Sequence, residues 1–201
     1  MLENVATCGV QGNGLALPGQ GAAWRSRSVA ALASGPVWFA EIAFDTDVEF
    51  YRANSSSTQA TVDDIEAVLN GVDAIFMRDV RIGYQLTSII VRTTEPDPYN
   101  STDAHTLLDQ VRAEWWDTLR NDRWDIAHLM TGKNLNGTTI GVAWTATVCR
   151  DRSHALGLSE SRFSATFNRR IWLTAHELGH NWGACHCDDT NCVATPPSDC
   201  D

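Results

Sequence analysis

Apolar and polar positions follow two rhythms along the chain, and each predicts an element. From Val37 to Phe44 a mostly apolar run predicts a buried strand, and the polar stretch from Asp45 to Ser57 predicts a loop. Between Thr61 and Asp79 apolar residues recur at Val62, Ile65, Val68, Leu69, Val72, Ile75 and Phe76. These are the three- and four-residue intervals of a helix, with Thr61, Asp63 and Asp64 marking its start. Arg81 to Thr93, with Ile89, Ile90 and Val91, predicts a second strand that Pro96 and Pro98 break. Ser101 or Thr102 then caps a helix carrying Leu107, Leu108, Val111, Trp115 and Leu119. Two strands follow, Ile126 to Met130, ended by Gly132, and Thr138 to Val148, rich in Thr, Val and Ile. A loop is expected from Cys149 to Ser164, a third helix from Asn168 to Trp182, and an irregular tail beyond Gly183. The order strand, helix, strand, helix, strand, strand, helix is that of an α/β layered domain around a mixed sheet.

Residues 1–36 lack either rhythm. They are rich in Gly, Ala and Ser and are expected to be a linker or the remnant of a pro-segment, leaving one domain over residues 37–201. Gly12, Gly14, Gly19 and Gly21 are not read as following a strand or opening a helix, so no phosphate-cradling loop is expected there. The formal charge of −10 excludes a nucleic-acid partner, which needs a basic face. No run of 18 apolar residues occurs, so no membrane insertion is expected.

Six cysteines, four of them between Cys185 and Cys200, suggest an oxidising compartment. The acidic start Met1-Leu2-Glu3-Asn4 does not read as a signal peptide. Together these predict a secreted or periplasmic protein of which this chain is a piece. Asn54, Asn100 and Asn136 head Asn-x-Ser/Thr sequons, which a Ser/Thr-rich chain also produces by chance.

The chemistry is concentrated in His176-Glu177-Leu178-Gly179-His180-Asn181-Trp182-Gly183-Ala184-Cys185-His186, which fits H-E-x-x-H-x-x-G-x-x-H. On a helix, His176 and His180 project from one face and grip one ion. Gly183 allows a left-handed turn that stops the helix and swings His186 back as a third ligand. Three neutral imidazoles leave the fourth position of a zinc ion open, as in catalytic sites. Glu177 adjoins the first ligand and reaches that position without being a ligand itself. These residues predict zinc on His176, His180 and His186 with Glu177 as catalytic general base. No G-x-S-x-G is present to support a serine hydrolase.

This long motif resembles that of the metzincin metallopeptidases, and Thr174 to Asn181 is most similar to the adamalysin (reprolysin) branch. Phe39-Ala40-Glu41-Ile42, Asp125-Ile126-Ala127-His128-Leu129-Met130-Thr131-Gly132 and Gly141-Val142-Ala143-Trp144 followed by Cys149 also resemble segments of that branch. The resemblance implies a zincin-type layered domain: a mixed, mostly parallel sheet, a zinc-binding helix and a short C-terminal subdomain. It implies a zinc endopeptidase acting on peptide or protein substrates. It further implies that Gly141, Val142, Ala143 and Trp144 form an edge strand on which substrate lies as an added strand. Cys8-Gly9-Val10 resembles the Cys-Gly-Val of the inhibitory pro-segment, which implies Cys8 as a thiolate switch on the zinc. Glu41 and Asp125 fall where some adamalysins hold calcium, a second ion with hard oxygen ligands.

The chain departs from the family pattern in its tail. Metzincins place a methionine in a tight turn after the third histidine, whereas the methionines here are Met1, Met77 and Met130. This predicts truncation or divergence at the C-terminus. It leaves as the alternative function a non-catalytic, metal-stabilised peptide-binding module of the same fold. Cys185, Cys187, Cys192 and Cys200 lack the paired C-x2-C spacing of a zinc site, so disulfides suit them better, with Cys187 and Cys192 closing a small loop.

Overall fold

The computed structural model describes residues 37–186. The segment 1–36 with Cys8, and the tail 187–201 with the C-terminal subdomain and the Cys187–Cys192 loop, lie outside the described residues. Five strands form one sheet in the order β2-β1-β3-β5-β4. They are β1 (Trp38–Thr46), β2 (Ile82–Ile90), β3 (Ile126–Thr131), β4 (Gly141–Ala143) and β5 (Leu156–Glu160). Neighbours pair in parallel throughout except β4, which runs antiparallel along β5 at one edge. The sheet is therefore mixed and mostly parallel.

Alternation along the strands divides the interior in two. Ala43, Ala127, Leu129, Leu156 and Leu158 face Leu107, Leu108, Val111 and Trp115 of the segment beginning with α3 (Ala104–Arg112). That helix widens into a π-helical stretch, Ala113–Thr118. Ile42, Phe44, Ile126 and Met130 face the opposite layer. This layer is built from α1 (Val48–Ala53), α2 (Thr58–Asp79) and α4 (Phe167–Asn181). Strands buried on both faces read as continuous apolar runs, as β1 and β3 do.

Several expectations are corrected. The stretch 45–57 is not a plain loop. Asp47 accepts from Phe50 N at 2.8 Å and caps the short helix α1. Ser57, rather than Thr61, caps α2 by accepting from Ala60 N, and the Thr61 hydroxyl bonds back to Ser57 O inside the helix. Asp103, rather than Ser101 or Thr102, caps α3. The strand expected over 138–148 is only Gly141–Ala143. Beyond it the chain turns away from the sheet to bond the end of α4. The loop expected over 149–164 contains β5, whose Leu156 and Leu158 are fully buried.

Candidate metal centre

Helix α4 buries Arg170, Leu173, Thr174, Glu177, Leu178 and Asn181, the intervals of a single stripe. Its far end from the metal motif is anchored by Arg170, whose guanidinium forks onto Asp64 of α2 at 2.9 and 2.6 Å. Where α4 crosses the sheet, β5 presents Gly157 and Ser159 on that side, and these small residues let the helix come close.

The other end is held through its last residues. The buried Asn181 amide donates to Trp144 O at 2.9 Å and to Leu156 O at 3.0 Å. In return, Ala146 N donates to His180 O, and Thr147 N and Val148 N donate to Asn181 O. These bonds cap carbonyls that a helix end otherwise leaves open. They also tie the metal motif to the segment that follows β4. Gly183 then turns at φ 96°, in the left-handed region that favours glycine, and the chain doubles back to His186.

The result is a cluster of three imidazoles. His176 Nε2 lies 3.0 Å from His180 Nε2 and 3.2 Å from His186 Nε2. Zinc–nitrogen bonds of about 2.0–2.1 Å in a tetrahedron separate ligand atoms by roughly 3.3 Å, so the donor set fits zinc. His180 Nδ1 donates to Ala184 O at 2.7 Å, which leaves its Nε2 as the lone-pair atom turned to the centre. Burial, and then the neighbouring imidazoles of His180 and His186, pull His176 down to about 4, so it is neutral near pH 7 as a ligand must be.

Glu177 is buried, 3% exposed, and burial pushes its carboxyl up to about 8. A cation at the three imidazoles opposes that shift. Its Oε1 lies against Gly141 of β4, close enough that a Cβ there would meet it at 2.5 Å. The structure thus brings His176, His180, His186, Glu177 and Gly141 together. Val142 and Ala143 continue β4, the last strand in the order, whose outer edge has no strand partner among the described residues. Trp144 lies just past the strand, its N still donating to Leu156 O, and its ring packs 4.5 Å from that of His154.

Glu41 and Asp125 do not support calcium. Asp125 accepts from Glu41 N at 2.7 Å, and the Glu41 carboxylate pairs with Arg123. One oxygen of each carboxylate is therefore already engaged by a protein donor. Cys149 and Cys185 are both disulfide-bonded. Sequence reasoning missed the Asn181 clamp and the contact between Glu177 and Gly141. An Asn directly after the second histidine was a usable signal for the first, whereas the second joins residues 36 positions apart and has no local signal.

A family model, a reprolysin-type member of Metallo-peptidase family M12, matches residues 39–201. The chain is 31% identical over 156 residues to hemorrhagic metalloproteinase-disintegrin-like kaouthiagin of Naja kaouthia, covering 75% of this chain and 36% of that protein. It is 26% identical over 159 residues to snake venom metalloproteinase trimerelysin-2 of Protobothrops flavoviridis, covering 78% and 77%. The chain thus spans about a third of kaouthiagin but most of trimerelysin-2. Among solved structures, a chain from "Structure of a chaperone-substrate complex" matches with a TM-score of 0.61 at 14% identity, over 77% of this chain and 25% of that one. At that identity the likeness concerns the fold alone.

Proposed function

The chain belongs to metallopeptidase family M12, and on that premise we propose that it is a zinc-dependent endopeptidase, with His176, His180 and His186 holding the ion and Glu177 acting as general base. The observation that carries this reading is the convergence of three imidazoles, with His176 Nε2 3.0 and 3.2 Å from the other two Nε2 atoms, two of the three rings coming from the helix that also bears Glu177. Zinc, when bound, supplies Lewis acidity towards water and towards a peptide carbonyl. Glu177 takes a proton from the attacking water and returns it to the leaving amine, so one carboxylate serves both transfers and is regenerated. A purely peptide-binding module has no need of such an acid beside the ligands.

The substrate is a peptide or protein segment. It lies antiparallel along the outer edge of the Gly141, Val142, Ala143 and Trp144 segment, held by main-chain hydrogen bonds to Gly141 and Ala143, whose backbone groups alternate away from β5, with its scissile bond over the imidazole cluster. Main-chain recognition of this kind tolerates varied side chains. The similarity to trimerelysin-2, named as a snake venom metalloproteinase, supports a secreted protein.

Elemental analysis tests the metal assignment. The purified chain is expected to carry one zinc per molecule, and the His176→Ala/His180→Ala double variant none, because a single imidazole is too poor a site. Stoichiometric zinc in the double variant contradicts the assignment.

A further inference from the structure

The contact between β4 and α4 assigns a role to Gly141 that differs from main-chain binding of substrate. A Cβ built on Gly141 would meet Glu177 Oε1 at 2.5 Å, Cδ at 2.8 Å and Cγ at 2.9 Å. Three atoms of one side chain thus occupy the space that any other residue at this position would fill. Neither backbone is free to give way. Gly141 is in register with Ser159 of β5, and the next bond along, Glu160 N to Ile140 O, is 2.7 Å. Glu177 sits four residues before the end of α4, which is clamped by Asn181. The only soft coordinate is the Glu177 side chain itself.

We propose that Gly141 is a positioning residue: the missing side chain creates the seat in which the Glu177 carboxylate lies, so the edge strand that receives substrate also sets where the general base stands. The inference rests on the general-base reading of Glu177. It predicts that a methyl group at 141 displaces the carboxylate by roughly 1 Å, from 2.5 Å to ordinary contact, without touching the three imidazoles or the main-chain groups of β4. A misplacement of that size costs about 10²-fold in rate.

The test compares the full-length zinc-loaded parent, Gly141→Ala, Glu177→Ala and the Gly141→Ala/Glu177→Ala double variant. Gly141→Ala is expected to keep its zinc, to lose about 10²-fold in kcat on a peptide substrate, and to keep KM within about 3-fold, because main-chain binding is intact. Parent-like kcat in Gly141→Ala overturns the proposal, as does a loss that falls on KM alone. The second readout needs no activity. In urea unfolding of the metal-free proteins, Gly141→Ala is expected to lower the midpoint in the parent background and to leave it unchanged in the Glu177→Ala background, where the clashing atoms are gone. Equal shifts in both backgrounds overturn the proposal. If Gly141→Ala alone does not fold, a folded double variant meets the prediction and an unfolded one contradicts it. Should Glu177→Ala cleave like the parent, the general-base reading fails, whereas an inactive Glu177→Ala beside a fully active Gly141→Ala removes only the role assigned to Gly141.

Discussion

His128 stands fully buried in the middle of β3, its ring edge-on to Phe44 at 5.8 Å and its Nε2 2.9 Å from Ser159 Oγ. Burial alone pulls the imidazole from 6.5 down to about 3. In the folded protein the ring therefore stays neutral, while in the unfolded chain it binds a proton below about 6.5. The unfolded state takes up more protons in that window, so this contribution to stability is complete above pH 6.5 and is lost as pH falls towards 3. Asp47 works in the opposite sense. Burial raises it to about 6, so its contribution favours the fold at low pH and fades as pH rises from 3.8 towards 6. The two effects partly cancel in the parent, so the difference between parent and His128→Asn isolates the histidine. Relative to the variant, the parent is expected to lose about 1.4 kcal/mol of stability per pH unit between pH 6 and 4. Urea unfolding at a series of pH values checks this, and parallel pH profiles for the two proteins contradict it.

Helix α4 and the segment 144–148 act as one piece, because the Asn181 amide bridges Trp144 O and Leu156 O while three backbone N–H groups of the segment cap the helix. Asn181→Ala removes the donor from Trp144 O and leaves Leu156 O with Trp144 N alone, and is expected to cost about 1–3 kcal/mol for the carbonyl left unsatisfied. It is also expected to weaken zinc retention during dialysis against a chelator, since His180 and the turn to His186 lose their anchor. Unchanged stability and metal retention contradict the clamp. This element also shows what a sequence can and cannot reveal. The i, i+4 pair His176 and His180, the placing of Glu177 beside it on the helix and the turn at Gly183 are legible because helix geometry and a left-handed glycine are local facts. So are α2, α3, β1 and β3, where periodicity or an unbroken apolar run spans enough residues. Helix α1 has six residues and depends on the Asp47 cap, too short for a period to emerge. Strand β5 reads Leu-Gly-Leu-Ser-Glu, and its Gly157 and Ser159 reflect close packing rather than a turn. A Cβ at Gly157 would meet Ala143 Cβ at 3.0 Å and His128 Nδ1 at 3.2 Å. The strand after Ile140 ends early because His180 O and Asn181 O draw residues 146–148 off the sheet, with Ala146 at φ 56°. A tertiary contact outweighs β-propensity there.

The molecule as a whole joins the sheet edge proposed to receive extended peptide, the helix that carries His176, Glu177 and His180, and a formal charge of −10. That charge attracts cationic substrates over distances of about a Debye length. For two peptides matched in sequence except for added Lys residues, kcat/KM of the cationic one is expected to fall several-fold between 20 mM and 500 mM salt, while that of the neutral one stays nearly constant. Identical salt profiles contradict electrostatic steering. The fold and family leave one claim to decide, that the centre works as a catalyst with Glu177 moving the proton. The most direct measurement is the rate of hydrolysis of a quenched fluorescent peptide library by zinc-loaded Glu177→Ala relative to the zinc-loaded parent. The account predicts a fall of about 10²–10⁴-fold at equal zinc content. Equal rates for the two proteins, or a zinc-loaded parent that cleaves nothing, contradict it.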